Sequence, residues 1–385
     1  MKVGIMSMQR VRNYGSFLQA YGLKKTIESL GHEVEFVDYK VEPPLNVPEP
    51  VVQKKSALPI RVARKCYHML KGQTAEEKNF WHMVDQRKEF FLHTYDREIR
   101  PMLGIDDTMH YRTQLDALVI GSDEVFNCLQ ESKDIGYSRE LFGKDNQAKR
   151  LISYAGSFGN TTLKRLQHYG VDKEVGGLLK DFDAISVRDT NSGSVVKDLT
   201  GKEPFYHLDP VLISDYSAEE VKHINKKDYI IVYGYSGRIT PEEGAIIREF
   251  AKKENKKLVC IQGTHKFCDE FVTGNPFEVL AYFKNADYII TDTFHGSIFS
   301  IINNKPFVTI VRKTVGESYG NEEKLTDLLA RLDLKDRMLT DMSQLESLLK
   351  APIDYDKVKK IRDAEREKSI QYLREQLGDN SKEVM

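Results

Sequence analysis

Ala286-Asp287-Tyr288-Ile289-Ile290-Thr291-Asp292-Thr293-Phe294-His295-Gly296-Ser297-Ile298-Phe299-Ser300 is the stretch whose reading decides the fold. Its first part, Tyr288 to Ile290, is a short apolar run that reads as a buried strand. From Ser297 to Ile302 the apolar residues recur at helical spacing, which predicts a helix. Between them lies Asp-Thr-Phe-His-Gly, a polar turn where a strand hands over to a helix. Open α/β sheets bind ligands at such junctions, because the carboxyl end of the strand and the N-terminus of the helix face one crevice. Free N–H groups and the positive end of the helix dipole favour an anion there. A histidine adds a group that exchanges a proton near neutral pH. Asp292 and His295, three residues apart, read either as a carboxylate–imidazole pair or as a helix cap followed by an independent histidine.

Working outward, strand and helix patterns alternate along most of the chain. Lys2–Met6 reads as a strand, Tyr14–Leu30 as a helix stopped by Gly31, and Glu33–Asp38 as a second strand, which makes one βαβ unit. A proline-rich break follows (Pro43, Pro44, Pro48, Pro50, Pro59), and then a basic and aromatic stretch from Arg61 to about Thr94 that reads as an inserted helical hairpin. Strands resume at Leu115–Ile120, Arg150–Ala155 and Asp183–Val187. After Leu208-Asp209-Pro210 the pattern starts afresh, with strands at Tyr229–Tyr233, Lys257–Ile261, Tyr288–Ile290 and Pro306–Val311. Helices are expected at Pro241–Lys253 and Pro276–Asn285, each with proline in the first turn. The expectation is an α/β chain of two Rossmann-like domains facing a cleft. They divide as residues 1–212, with a helical insertion around 55–95, and 213–350. A charged helix within 351–385 is expected to pack back on the first domain.

Bulk properties set the outer limits. The 385 residues suffice for two domains with separate cores. Fifty-seven basic and fifty-eight acidic residues leave a formal charge of −1, which gives no electrostatic reason to expect a nucleic-acid partner. Four scattered cysteines, Cys66, Cys128, Cys260 and Cys268, form no CxxC pair and read as reduced thiols. The chain enters its first strand without the apolar core of a signal peptide, and no window is apolar enough to span a bilayer. The expectation is a cytoplasmic protein, placed at most at the inner face of the membrane. The basic-aromatic stretch 61–91 reads as a surface hairpin, with peripheral lipid contact as the alternative.

Chemistry should gather at the strand ends. Those turns carry Arg10, Arg12 and Asn13; Gly121-Ser122-Asp123-Glu124; Gly156-Ser157-Phe158-Gly159; Arg188-Asp189; Gly234-Tyr235-Ser236-Gly237-Arg238; Gln262-Gly263-Thr264-His265; and Arg312-Lys313. Small residues let backbone amides approach a ligand, and the cations suit a small, highly anionic one. No GxGxxG follows the first strand and no GxxxxGK[ST] exists, which argues against dinucleotide and P-loop chemistry. Gly156-Ser157-Phe158-Gly159 has the wrong spacing for a GxSxG elbow, and no HxxxH or HExxH pair supports a catalytic metal.

Read together, these segments resemble the polysaccharide pyruvyl transferase family. The resemblance is carried by Asn13–Tyr21, Ile120–Asn127, Ser153–Gly159, Ile185–Asp189, Leu208–Pro210 and Thr291–Gly296 followed by Asn304-Lys305-Pro306-Phe307, in the family's order over residues 1 to about 335. It implies a fold similar to the GT-B glycosyltransferases and transfer of pyruvate from phosphoenolpyruvate to a sugar as a ketal, with release of phosphate. Phosphoenolpyruvate is then a co-substrate, with no separate cofactor and no metal. The acceptor is a glycan or a lipid-linked oligosaccharide. An arginine like Arg188 and a histidine like His295 are linked in the family to donor binding or catalysis. His295 is therefore the expected proton-transfer group; Asp123, at a strand end, is a second candidate, as base for the attacking hydroxyl. Arg188, His295, Asn13, Ser157, Thr293, Phe294, Gly296 and Lys313 are the expected donor-binding residues.

Two positions depart from the family pattern: Phe126 stands where a tryptophan is frequent, and Glu322-Glu323-Lys324 where an arginine is frequent, with Lys324 as a substitute cation. The alternatives are a nucleotide-sugar glycosyltransferase on the same architecture, or a family member without turnover. As local readings, Arg188 could instead be a salt-bridge partner of Asp189 or Asp209, and Asn13 a helix cap.

Overall fold

A computed structural model of the chain describes residues 1–45, 74–111, 114–130, 132–219, 221, 224–313 and 321–378. Two parallel sheets organise it. In the first, β1 (Lys2–Met6) lies between β2 (Glu33–Phe36) and β3 (Ala117–Ile120), and β4 (Arg150–Ser153) pairs with β3. Single bridges from Ile152 to Ala184 and from Gly156 to Val187 carry the sheet on to the short pair β5 (Ser186–Val187) and β6 (Phe205–Tyr206). The second sheet contains β7 (Tyr229–Gly234), β8 (Lys257–Gln262), β9 (Glu270–Phe271), β10 (Tyr288–Thr291), β11 (Phe307–Ile310) and β12 (Met338–Leu339). Its order is β12-β11-β10-β7-β8-β9. Val232, Ile290 and Val308 lie side by side across its centre and are fully buried, as expected for parallel strands covered on both faces.

Each sheet has one point where the strand order reverses. In the first it lies between β1 and β3, because the chain leaves β1 toward β2 and returns on the other side. In the second it lies between β7 and β10. Crevices form outside the carboxyl ends of the strands at such points. The two Rossmann-like units present these ends to one another across a cleft, which is the GT-B arrangement expected from the sequence.

The helices are set by local signals. In α1 (Tyr14–Ser29), Asn13 Oδ1 accepts from the N–H groups of Gly15 and Ser16 at 2.7 and 3.2 Å. Inside the insertion, α2 (Ala75–Glu89) opens with a Thr74/Glu77 capping box and runs on as a π-helical stretch, Phe90–Ile99. Arg87 Nε donates to Gln262 O at 2.6 Å, and Met83 lies against Cys260, so the insertion packs on the second sheet. The part of the expected insertion from 55 to 73, with Cys66 and most of its basic residues, lies outside the described residues. At the far end α12 (Tyr355–Leu377) returns to the first sheet, where Tyr372 Oη donates to Ser153 O at 2.9 Å. Among the described residues no helix is long and apolar enough to cross a membrane.

Several boundaries differ from the sequence reading. The second strand stops at Phe36, and the strand expected over Asp183–Val187 is regular only at Ser186–Val187. The helix after β10, α9 (Phe294–Ile302), starts three residues earlier than its apolar pattern. Thr293 is the reason: its Oγ1 accepts from Gly296 N at 2.9 Å, which draws Phe294, His295 and Gly296 into the first helical turn.

Candidate active site

The cleft between the two strand-order reversals encloses a cavity of about 590 Å³. Asn13, Ser16, Asp123 and Glu124 line it from the β1 and β3 ends of the first sheet. Tyr235, Arg238 and His295 line it from β7 and β10 of the second, joined by Arg312, Asn321 and Lys324 from beyond β11. Direct contacts cross the cleft: Asn13 Nδ2 donates to Tyr235 Oη at 2.7 Å, and Lys324 Nζ meets Glu124 Oε1 at 2.7 Å.

His295 sits in the first turn of α9 with its ring over Gly15. A Cβ built on Gly15 would come within 2.2 Å of His295 Nδ1, so only glycine leaves room for the imidazole. On the other side of the ring, Nε2 lies 3.5 Å from Asp209 Oδ2. Asp209 is fully buried and caps the turn Pro210–Ile213 through Val211 N. Burial opposes its ionisation, but the neighbouring His295 and Arg188 and the Val211 amide outweigh that effect and hold the carboxyl down at about 2. The carboxylate–imidazole pair of this site is therefore Asp209–His295.

Asp292 neither pairs with His295 nor caps the helix. Both of its carboxylate oxygens are buried without a hydrogen-bond partner among the described residues, Thr293 supplies the cap, and burial raises the pKa. The three-residue spacing misleads because the helix begins at Phe294. His295 is thereby turned toward Gly15 and Asp209, while Asp292 lies beside Gly234 on the other side.

Asp123 occupies the turn after β3 with φ of 85°, a left-handed conformation that aspartate tolerates better than most residues. Ser16 Oγ donates to its Oδ2 at 2.7 Å and Glu124 N to its Oδ1 at 2.9 Å, which fixes the carboxylate at the cavity wall. Glu124 beside it is held at about 2. Burial raises its pKa, but Lys324, then Arg188 and Asn127, more than offset this.

Arg188 lies behind the wall rather than on it. Its side chain is 2% exposed, with Nη1 2.9 Å from Asp209 Oδ2 and Nη2 3.6 Å from Asp123 Oδ1. Its guanidinium is 4.2 Å from the centre of the Phe294 ring. Arg188 thus ties together the two carboxylates that flank the site, and of its two sequence-stated salt-bridge partners the structure selects Asp209. Ser157 is also buried away from the cavity, donating to Asp189 Oδ2 at 2.6 Å to brace the cap of the helix Thr190–Thr200. Thr293 and Gly296 shape the start of α9: a Cβ on Gly296 would meet Thr291 Oγ1 at 2.1 Å. Lys313 is exposed, and its neighbour Arg312 faces the cavity instead, in a two-pronged pair with Glu243 at 2.7 and 2.8 Å.

Of the expected residues, Asn13, Asp123 and His295 meet at the cavity, whereas Arg188, Phe294, Thr293, Gly296 and Ser157 form its support. The residues not selected from sequence are Asp209, Glu124, Tyr235, Arg238, Arg312 and Asn321. Their strand-end positions were a visible signal for Glu124, Tyr235, Arg238 and Arg312. Asp209 was visible only within the Leu208–Pro210 segment and as a possible partner of Arg188, and Asn321 carried no signal, because only the tertiary fold brings them to His295 and to the Asp292 backbone, whose oxygen accepts from Asn321 Nδ2 at 2.8 Å. Among the described residues no group of three or more His, Cys, Asp or Glu is placed to hold a metal ion.

The fold and this cleft define a two-domain, GT-B-like α/β protein with an acid–base and cation-lined site between the domains. Residues 13–314 match the model of the polysaccharide pyruvyl transferase family, and the chain belongs to that family. No curated protein sequence matches it significantly. Similar solved structures include a mutant O-GlcNAc transferase of Thermobaculum terrenum, at 13% identity and a TM-score of 0.40 over 100% of this chain and 66% of that one. The UDP-GlcNAc 2-epimerase of Neisseria meningitidis bound to UDP-GlcNAc is another, at 10% identity and a TM-score of 0.45, covering 100% and 98%. A third is the UDP-GlcNAc 2-epimerase of Methanocaldococcus jannaschii, at 10% identity and a TM-score of 0.45, covering 95% and 94%.

Proposed function

We propose that the chain transfers the pyruvyl group of phosphoenolpyruvate to two hydroxyls of a glycan or of its lipid-linked precursor, forming a ketal and releasing phosphate. The observation that carries this reading is the imidazole of His295, seated on Gly15 at the cavity wall with its Nε2 against the buried Asp209 carboxylate. A carboxylate so placed fixes the orientation of the ring.

The donor brings a carboxylate and a phosphate, and the second domain's wall offers Arg238, Arg312 and Lys324 together with the first turn of α9. His295 gives a proton to the methylene carbon of the enol, and positive charge develops on the neighbouring carbon. An acceptor hydroxyl bonds to that carbon and passes its proton to Asp123. The carbon–oxygen bond to phosphate then breaks. The second hydroxyl bonds to the same carbon and its proton leaves with the phosphate; exchange with solvent then removes the proton Asp123 took and restores the one His295 gave. Arg188 is a positioning residue in this scheme: it balances Asp123 and Asp209 from behind and supports the Phe294 end of α9. No separate cofactor takes part.

Thermal unfolding of the intact chain tests donor choice. Phosphoenolpyruvate is expected to raise the midpoint in a saturable way, as any ligand bound only by the folded state does. Stabilisation by a nucleotide sugar and not by phosphoenolpyruvate would overturn the reading.

A further inference from the structure

The cavity is larger than its donor. At about 590 Å³ it is of the size that encloses a drug-sized ligand, whereas phosphoenolpyruvate has a three-carbon skeleton. The remaining space is bounded by the first domain, where Asn127, Gln130, Asn160 and Arg165 form a polar wall beside Val11 and Leu129.

Arg165 differs from the cations opposite. Arg312 is paired with Glu243 and Lys324 with Glu124. Arg165 has no carboxylate partner among the described residues, and its guanidinium donates only to Asn160 O, at a long 3.4 Å from Nη1. Yet the segment that carries it is firmly held. Asn191 Nδ2 donates to Gly159 O and Thr161 O at 3.0 Å, Phe158 N donates to Ser192 Oγ at 2.8 Å, and Thr161 Oγ1 donates to Asn127 Oδ1 at 2.7 Å. Thr162 then caps the short helix Leu163–His168 on which Arg165 stands. An arginine fork without an acid partner among the described residues, on a braced segment in a cleft wall, has donors to spare for an anion, and a fork suits a carboxylate or phosphate through two parallel bonds.

We propose that Arg165 is the anchor of an acceptor subsite, and that the acceptor carries a negative charge, as a sugar carboxylate or a phosphate ester, that Arg165 binds. The proposal rests on the pyruvyl-transfer reading for its division of the cavity: donor on the His295 side, acceptor on the Arg165 side. Asn127, Gln130 and Asn160 would face the neutral hydroxyls of the same sugar.

The test is calorimetric titration of the intact chain, saturated with phosphoenolpyruvate, with glucuronate, glucose 1-phosphate and neutral glucose. Binding of glucuronate or glucose 1-phosphate is expected, with glucose at least about tenfold weaker, the worth of one charge-assisted contact. Preference for glucuronate would identify a sugar carboxylate as the source of the charge, and preference for glucose 1-phosphate a phosphorylated precursor. Arg165→Ala is expected to weaken the anionic sugars at least about tenfold, and Arg165→Lys less, while both keep the wild-type stabilisation by phosphoenolpyruvate. Absence of anionic-sugar binding in the wild type, or binding unchanged in Arg165→Ala, would overturn the subsite. Failure of phosphoenolpyruvate to stabilise the wild type would instead overturn the donor assignment.

Discussion

At the scale of single residues the site depends on a fit between two positions far apart in sequence, Gly15 and His295. The missing side chain at 15 is what admits the ring, since a Cβ there would lie 2.2 Å from Nδ1. Gly15→Ala is therefore expected to fold, at a cost of about 1–3 kcal/mol for the crowding, while displacing the imidazole. A displacement near 1 Å costs on the order of 100-fold in rate. Phosphate release, measured beside a thermal melt, checks this; a Gly15→Ala enzyme with full activity would show that His295 is not held by this contact. His295 was legible as a candidate because it stands at a strand–helix junction. Its partner was not. Sequence spacing offered Asp292, and the structure supplies Asp209 because residues 209 and 295 meet only when the two domains close on one another. Arg188 illustrates the same limit: a cation at a strand end is visible in the sequence, but whether it faces the ligand or two carboxylates behind the wall is decided by packing.

At the scale of elements, most strands and helices follow from hydrophobic period and capping residues, as with Asn13 for α1 and Thr74/Glu77 for α2. Boundaries shift where one hydrogen bond overrides the apolar pattern, as Thr293 does for α9. The return of the C-terminal helix onto the first sheet was legible only as a possibility, because its sequence is mostly charged. The contact includes His207, whose ring packs against both Tyr154 and Tyr372, with centroids 5.9 and 4.5 Å away.

Burial, then the nearby Arg331, lowers the His207 pKa from its ordinary 6.5 to about 4. The unfolded chain therefore takes up this proton first as pH falls. The contribution of the neutral ring to stability is complete above about pH 6.5 and is lost as pH drops toward 4, on the order of 3 kcal/mol at most. Denaturant midpoints at pH 7 and 4.5 are expected to differ less in His207→Gln than in the wild type. An equal pH dependence in both would remove His207 from the account.

At the scale of the whole molecule, two parallel sheets set their strand-order reversals against one another, and the cavity lies where both crevices open. The alternation of strands and helices made the two domains legible. Their mutual placement was not, because it depends on cross-cleft contacts such as Asn13–Tyr235 and Glu124–Lys324 that no local pattern encodes. On the proposed reading this placement matters, because the first domain brings Asp123 and the glycine seat for His295 to the cavity, and the second brings His295, Arg238, Arg312 and Lys324.

The central claim is that His295 moves a proton during pyruvyl transfer and is not merely part of the donor's binding site. The most direct measurement is phosphate release from carbon-labelled phosphoenolpyruvate with a panel of glycan acceptors, counting label in the glycan, for wild type and His295→Ala. Donor affinity is measured in parallel by thermal stabilisation. The account predicts label transfer by the wild type, and a turnover loss of about 100- to 10,000-fold in His295→Ala with donor binding largely kept. Equal turnover in the two proteins, or a loss traced wholly to donor binding, would contradict it.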